Sequence, residues 1–186
     1  MAFVLVQHLD PHHESAFAGL LSVKTPMPVL QVQCDTPVQP DRIYVIPPNS
    51  LMVIADRVLS LKPRDERADH HLPIDTFFAS LAEDRRTSAI GVVLSGTASD
   101  GTLGLKAIKN EGGITFAQDH SAKFDSMPRN AIAAGAVDFV LSPRLIAKEL
   151  AAIARHPYRR QPLPEPMGSA TVVSAAADCY CCGMCF

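Results

Sequence analysis

Between residues 89 and 155, short apolar runs alternate with amphipathic segments, a pattern that leaves few folds open. Residues 89–94, 114–118 and 137–141 are apolar runs of strand length, while residues 102–111, 128–134 and 143–155 carry apolar side chains at helical spacing. Gly112-Gly113 and Gly135 close two of these helices, and Pro128 suits the first position of one. Strands that alternate with helices are joined by crossovers and buried on both faces. The expected fold class is therefore α/β, a doubly wound, mainly parallel sheet with helices on both faces.

The first half is less regular. Residues 2–6 suit a buried strand, and residues 14–23 a helix through Phe17, Leu20 and Leu21 that Pro26 and Pro28 end. Residues 29–33, 42–46 and 51–55 read as short strands, with Ala55-Asp56-Arg57 as the turn of a small antiparallel hairpin added to the parallel sheet. A charged loop over 62–71 precedes a helix over 74–86, with Asp75 placed to favour its first turn. Beyond His156 the composition shifts to a Pro-rich linker and then a Cys-rich end, so the expected division is an α/β domain over 1–156 and a disordered tail over 157–186.

Charge and hydropathy exclude several functions. Seventeen Lys and Arg against nineteen Asp and Glu give a net charge of −2 with no basic run, which leaves no electrostatic footprint for nucleic acid. No apolar run approaches the roughly 18 residues of a membrane span, so membrane insertion is not expected. The opening Met-Ala-Phe-Val-Leu-Val has no positive flank and does not read as a signal peptide, which makes a cytoplasmic location the default. Of five cysteines only Cys34 lies in the body; Cys179, Cys181, Cys182 and Cys185 crowd the end and form no disulfide framework for a domain.

In open parallel sheets the ligand crevice lies beyond the carboxyl ends of the strands. Two chemically useful residues follow strands directly: His8, after residues 2–6, and Asp100, in the turn Ser95-Gly-Thr-Ala-Ser-Asp-Gly101. An imidazole that shuttles a proton and a carboxylate that fixes its tautomer are two thirds of a hydrolytic triad. Two ordinary loop residues fit the same spacing. The Gly-containing turn could instead cradle a phosphate over residues 95–104, although it matches neither the dinucleotide fingerprint nor the Walker pattern. The pairs His12-His13 and His70-His71 have no further ligand at a standard metal spacing and read as solvated loop histidines, so no metal site is expected. The four terminal thiols could hold Zn²⁺ or Cu(I), but lack the paired Cys-x-x-Cys spacing of zinc sites; an accidental C-terminus is the favoured account.

Four ordered stretches then raise the specificity of the reading: Val4-Leu-Val-Gln-His-Leu-Asp-Pro11; His70-His-Leu-Pro-Ile-Asp75; Gly91-Val-Val-Leu-Ser-Gly-Thr-Ala-Ser-Asp-Gly101; and Gly112-Gly-Ile-Thr-Phe-Ala-Gln-Asp119 with Ser126-Met-Pro-Arg129. Through them residues 3–155 resemble the catalytic domain of chemotaxis protein-glutamate methylesterases, most closely the type fused to a receptor methyltransferase. The resemblance implies hydrolysis of γ-glutamyl methyl esters on the cytoplasmic helices of chemoreceptors, with release of methanol, and deamidation of certain glutamines. It implies a Ser-His-Asp triad and no cofactor. By that resemblance His8 is the general base, Asp100 orients it, and the Thr97 backbone N–H helps hold the oxyanion. Met127 would border the pocket, with core packing as its alternative, and His71 would line the substrate crevice, with an ordinary surface histidine as its alternative. A receiver or methyltransferase domain is the partner expected in a longer protein.

In one respect the sequence departs from the family. The family's nucleophilic serine lies in a Gly-Ala-Ser-x-Gly-Gly turn between its first strand and first helix, and these 186 residues contain no such turn. Ser95 and Ser99 are poor substitutes, because the family's constellation makes neither the attacking hydroxyl. The expectation is a methylesterase domain lacking its first βα unit, inactive or weak alone, with a non-catalytic receptor-binding remnant as the alternative.

Overall fold

The structure is a computed structural model that describes residues 1–7, 17–63 and 72–155. Among these residues the elements run β1 (Phe3–Leu5), α1 (Phe17–Ser22), β2 (Val29–Gln31), β3 (Thr36–Pro37), β4 (Ile43–Val45), β5 (Ser50–Ala55), β6 (Val58–Pro63), α2 (Pro73–Arg85), β7 (Ile90–Val93), α3 (Thr102–Asn110), β8 (Ile114–Gln118), α4 (Ser126–Ala133), β9 (Phe139–Leu141) and α5 (Pro143–Arg155).

The α/β expectation holds. Parallel pairing joins β1, β4 and β2 in that order, and β7, β8 and β9 in theirs. The described parallel strands thus form two three-stranded sheets. In each the central strand is the most buried: β4 is buried throughout, and β8 from Thr115 onward. That is the burial expected where helices cover a parallel sheet, and α3, α4 and α5 all pack on the β7–β8–β9 sheet.

The antiparallel addition is larger than a hairpin. β5 and β6 pair from Ala55↔Val58 to Ser50↔Pro63, and β3 joins the outer edge of β6. Asp56 and Arg57 both have positive φ, 49° and 65°, the backbone that a two-residue hairpin turn needs to match strand twist. Neither is glycine; the Arg57 N–H donates to Asp84 Oδ1 at 3.2 Å, which helps hold the turn. The strand continues through Lys62 and Pro63, so the first two residues of the expected loop over 62–71 belong to β6, and the rest lie outside the described residues. Leu59, fully buried opposite Ile54, anchors a pairing whose outward-facing lysine masks it in the sequence.

One helix start also moves. α4 begins two residues before Pro128, which sits third in the helix, still in the first turn, where backbone N–H groups have no intrahelical partner. The part of the expected 14–23 helix that is described forms α1 over Phe17–Ser22. The core runs between the hairpin sheet and the second parallel sheet: Met52, Ile54 and Leu59 meet Phe77 and Phe78 of α2, which face Leu105 and Ile108 of α3. No helix among the described residues is long and apolar enough to cross a membrane.

Asp138, just before β9, fastens that strand to β8. Its carboxylate accepts from the Thr115 N–H at 3.0 Å and Thr115 Oγ1 at 2.8 Å, and pairs with Lys109 Nζ at 3.1 Å. Burial alone would raise this carboxyl, but the bonds from Thr115 and Lys109 outweigh it and hold the pKa below the ordinary carboxylate range. A depressed folded-state value gives stability that is present above the unfolded value of about 3.9 and lost as pH falls through the folded value. Asp138→Asn is therefore expected to cost about 1–2 kcal/mol at pH 7. In urea titrations that deficit should shrink below about pH 4; a deficit independent of pH would refute the electrostatic account.

Candidate active site

The site expected from the sequence centres on the turn between β7 and α3. β7 ends in the buried Val93, and the chain then turns sharply over Ser95–Gly101. Ties from the end of β8 and from the residues that follow it fix this turn. Ser95 N–H donates to Gln118 Oε1 at 2.9 Å, and Gly96 N–H to the Phe124 carbonyl at 2.8 Å. Phe124 N–H donates to Ser95 Oγ at 2.9 Å, and Met127 N–H to the Gly96 carbonyl at 3.1 Å. Asn130 Nδ2 donates to the Ala98 carbonyl at 2.9 Å, supporting a residue held at φ 71°.

This clamp assigns several side chains. Met127 is buried in the core, and its Sδ and Cε stand 2.9 Å from where a Cβ on Gly96 would lie, so it packs directly on the turn. Ser95 Oγ already accepts from Phe124 N–H and donates to the Phe124 carbonyl at 3.3 Å, which makes it a strut for the turn. Thr97 is exposed at the tip, and its N–H makes no hydrogen bond among the described residues. It is open to an incoming oxygen.

Asp100 is 1% exposed and accepts from two backbone amides at the start of α2: Asp75 N–H to Oδ1 at 2.8 Å and Ile74 N–H to Oδ2 at 3.0 Å. These are the second and third amides of α2, the pair that an N-cap side chain ordinarily serves, whereas the residue at the cap, Leu72, offers no side-chain bond. The exchange is mutual. The α3 cap, Gly101, has no side chain to offer either, and the third amide of α3, Gly104 N–H, donates to Asp75 Oδ1 at 2.7 Å. Each helix start is capped by the carboxylate of the other. Burial raises the Asp75 carboxyl above its ordinary value, the Gly104 amide pulls it down, and the neighbouring negative charge of Asp100 raises it further.

This arrangement leaves little for a phosphate cradle. The amides of Ser95, Gly96 and Gly104 are already taken, and at the α3 N-terminus, where an anion would sit, Asp75 supplies the negative charge. His8, His71, the pairs His12-His13 and His70-His71, and the cysteine cluster lie outside the described residues. Among the described residues no three His, Cys, Asp or Glu side chains gather as a metal site. From the sequence, Asp75 stands out only as a favourable first-turn residue, and Gln118, Phe124 and Asn130 do not stand out as supports of the turn. The one available signal was that both helices start without a capping side chain of their own.

Comparison with known proteins supplies the family. The CheB methylesterase model matches residues 1–150. A protein-glutamate methylesterase/protein-glutamine glutaminase of Myxococcus xanthus is 35% identical over 157 residues, covering 82% of this chain and 46% of the relative. An uncharacterized 104.1 kDa protein of Rhodobacter capsulatus is 46% identical over 125 residues, covering 67% of this chain and 13% of the relative. The chain thus spans less than half the length of either. In fold it is similar to the Thermotoga maritima CheB methylesterase catalytic domain, with a TM-score of 0.73 over 81% of this chain and 82% of that one, at 24% identity. On the family match over residues 1–150, the chain belongs to the CheB methylesterase family.

Proposed function

We propose that this domain hydrolyses γ-glutamyl methyl esters on the cytoplasmic helices of chemoreceptors, releasing methanol, and deamidates receptor glutamines by the same route. The observation that carries the reading is Asp100, an almost fully buried carboxylate held at the carboxyl end of a parallel strand, in the same turn as the exposed, unengaged Thr97 amide. One group suits a triad carboxylate and the other an oxyanion donor. A carboxylate offers about four acceptor positions, so capping two amides is compatible with a bond from an imidazole N–H.

In this reading a serine hydroxyl, of the kind found in the family's Gly-Ala-Ser-x-Gly-Gly turn, attacks the ester carbonyl while His8 takes its proton. Asp100 holds the His8 tautomer and stabilises the imidazolium, and Thr97 N–H receives the developing oxyanion. The proton passes from His8 to the departing methoxide, giving methanol. Water then cleaves the acyl-enzyme to leave the receptor glutamate. Such a substrate places the reaction in the cytoplasm.

Methanol release from methylated receptor tests this directly, with the chain alone and with the chain joined behind a Gly-Ala-Ser-x-Gly-Gly strand-turn-helix, each beside its His8→Ala variant. Release is expected with the serine turn supplied, falling by about 10³-fold or more in His8→Ala. Release from neither form would overturn the enzymatic reading in favour of a receptor-binding domain. His8-dependent release from the chain alone would support the methylesterase reading and move the nucleophile to another hydroxyl.

A further inference from the structure

The exchange of caps between α2 and α3 points to a residue outside the Ser-His-Asp set. We propose that Asp75 is a positioning residue of the hydrolytic site, holding Asp100 in register and adding a second negative charge behind it. The inference rests on the reading that Asp100 orients His8.

Two geometric facts carry it. Gly104 lies four residues beyond Asp100, so the 2.7 Å bond from its amide to Asp75 Oδ1 fixes the first turn of α3 and with it the backbone that presents Asp100. Asp75 is also tied to Asp100 through its own N–H, at 2.8 Å, so a shift of either carboxylate loosens the cap on the opposite helix. Two carboxylates this near would ordinarily repel. Here each carboxylate accepts from amides at a helix start, whose positive end attracts negative charge.

Asp100 is the charged side chain acting on Asp75 among the described residues; the backbone groups of Gly101, Leu103 and Gly104 supply the rest of its polar surroundings. In this proposal the charge of Asp75 adds to that of Asp100, favouring the protonated form of the His8 imidazole more than one carboxylate would. A purely structural Asp75 would affect folding without that electrostatic signature.

The test is the imidazole pKa of His8, followed by NMR in the full chain for wild type, Asp75→Asn and Asp100→Asn. Asparagine at 75 keeps an oxygen that can accept from Gly104 N–H but removes the charge. Asp75→Asn is expected to lower the His8 pKa by about half a unit, and Asp100→Asn by about one unit or more. If Asp100→Asn moves His8 and Asp75→Asn does not, the proposal fails while the role of Asp100 stands. If neither moves it, the triad reading falls and the proposal with it. Amide dispersion in the same spectra reports folding, and Asp75→Glu, which keeps the charge, should hold the pKa near wild type even with a loosened cap; a drop as large as that of Asp75→Asn would overturn the electrostatic role.

Discussion

Asp100→Asn is expected to cut methyl ester hydrolysis by about 10³- to 10⁴-fold in the form carrying the serine turn, and to lower the melting temperature by about 5–10 °C. The two effects have separate causes. For activity, an amide in place of the carboxylate loses the charge that stabilises the imidazolium, and its NH₂ can select the wrong tautomer. For stability, the carboxylate serves two donors at once, Ile74 N–H and Asp75 N–H, one on each oxygen. Asparagine can serve only one; its NH₂ then faces the other N–H, donor against donor. Because the residue is buried, water cannot replace the missing acceptor, and the loss is about 2–3 kcal/mol. Asp100→Ala should destabilise by a similar amount, since it removes both bonds without adding the repulsion. Thermal melts beside methanol assays separate the effects: an asparagine variant as stable as wild type would refute the capping account, and one that retained full activity would refute the triad role.

What the sequence showed well were features that recur locally. The β-α alternation from residue 89 onward needs only hydrophobic period and Gly/Pro punctuation, and β7, β8, α3 and α5 form where those signals lie. Elements built by long-range pairing were harder to see. β3 is two residues, Thr36–Pro37, and exists because it lies against Leu59 and Val58 of β6; β6 ends in Lys62-Pro63, which by composition reads as a loop. The candidate site divides the same way. Asp100 and Thr97 stood out because a motif and a strand end coincide there. The partners that hold the turn, Gln118, Phe124 and Asn130, lie 23 to 32 positions away in the chain. The capping exchange hides for a related reason: with Leu72 and Gly101 at the cap positions, neither helix start carries a capping side chain of its own, and the carboxylates come from across the contact between the two helix starts.

Gly104→Ala is expected to be strongly damaging, costing about 3 kcal/mol or more. A Cβ at this position would stand 2.4 Å from Phe78 Cβ, 3.1 Å from Asp75 Cα and 3.2 Å from the Asp75 carbonyl oxygen. Alanine ordinarily favours a helix over glycine by about 1 kcal/mol, so the sign depends on whether α2 can retreat. It cannot do so cheaply, because the atoms in the way are backbone and the first carbon of a side chain, with no flexible tip to swing aside. Moving α2 away would also stretch Gly104 N–H from Asp75 and loosen both amides that cap on Asp100, so the packing cost and the loss of caps arrive together. Two further variants sharpen the test. Phe78→Leu should fail to rescue Gly104→Ala, since it leaves the clashing Cβ in place. Gly19→Ala, at a helical position with nothing within 4 Å, should be neutral or stabilising by about 0.5–1 kcal/mol. A Gly104→Ala melting temperature within 2 °C or so of wild type would mean that the two helices can separate without cost, and that the reciprocal caps do not bind them into one unit.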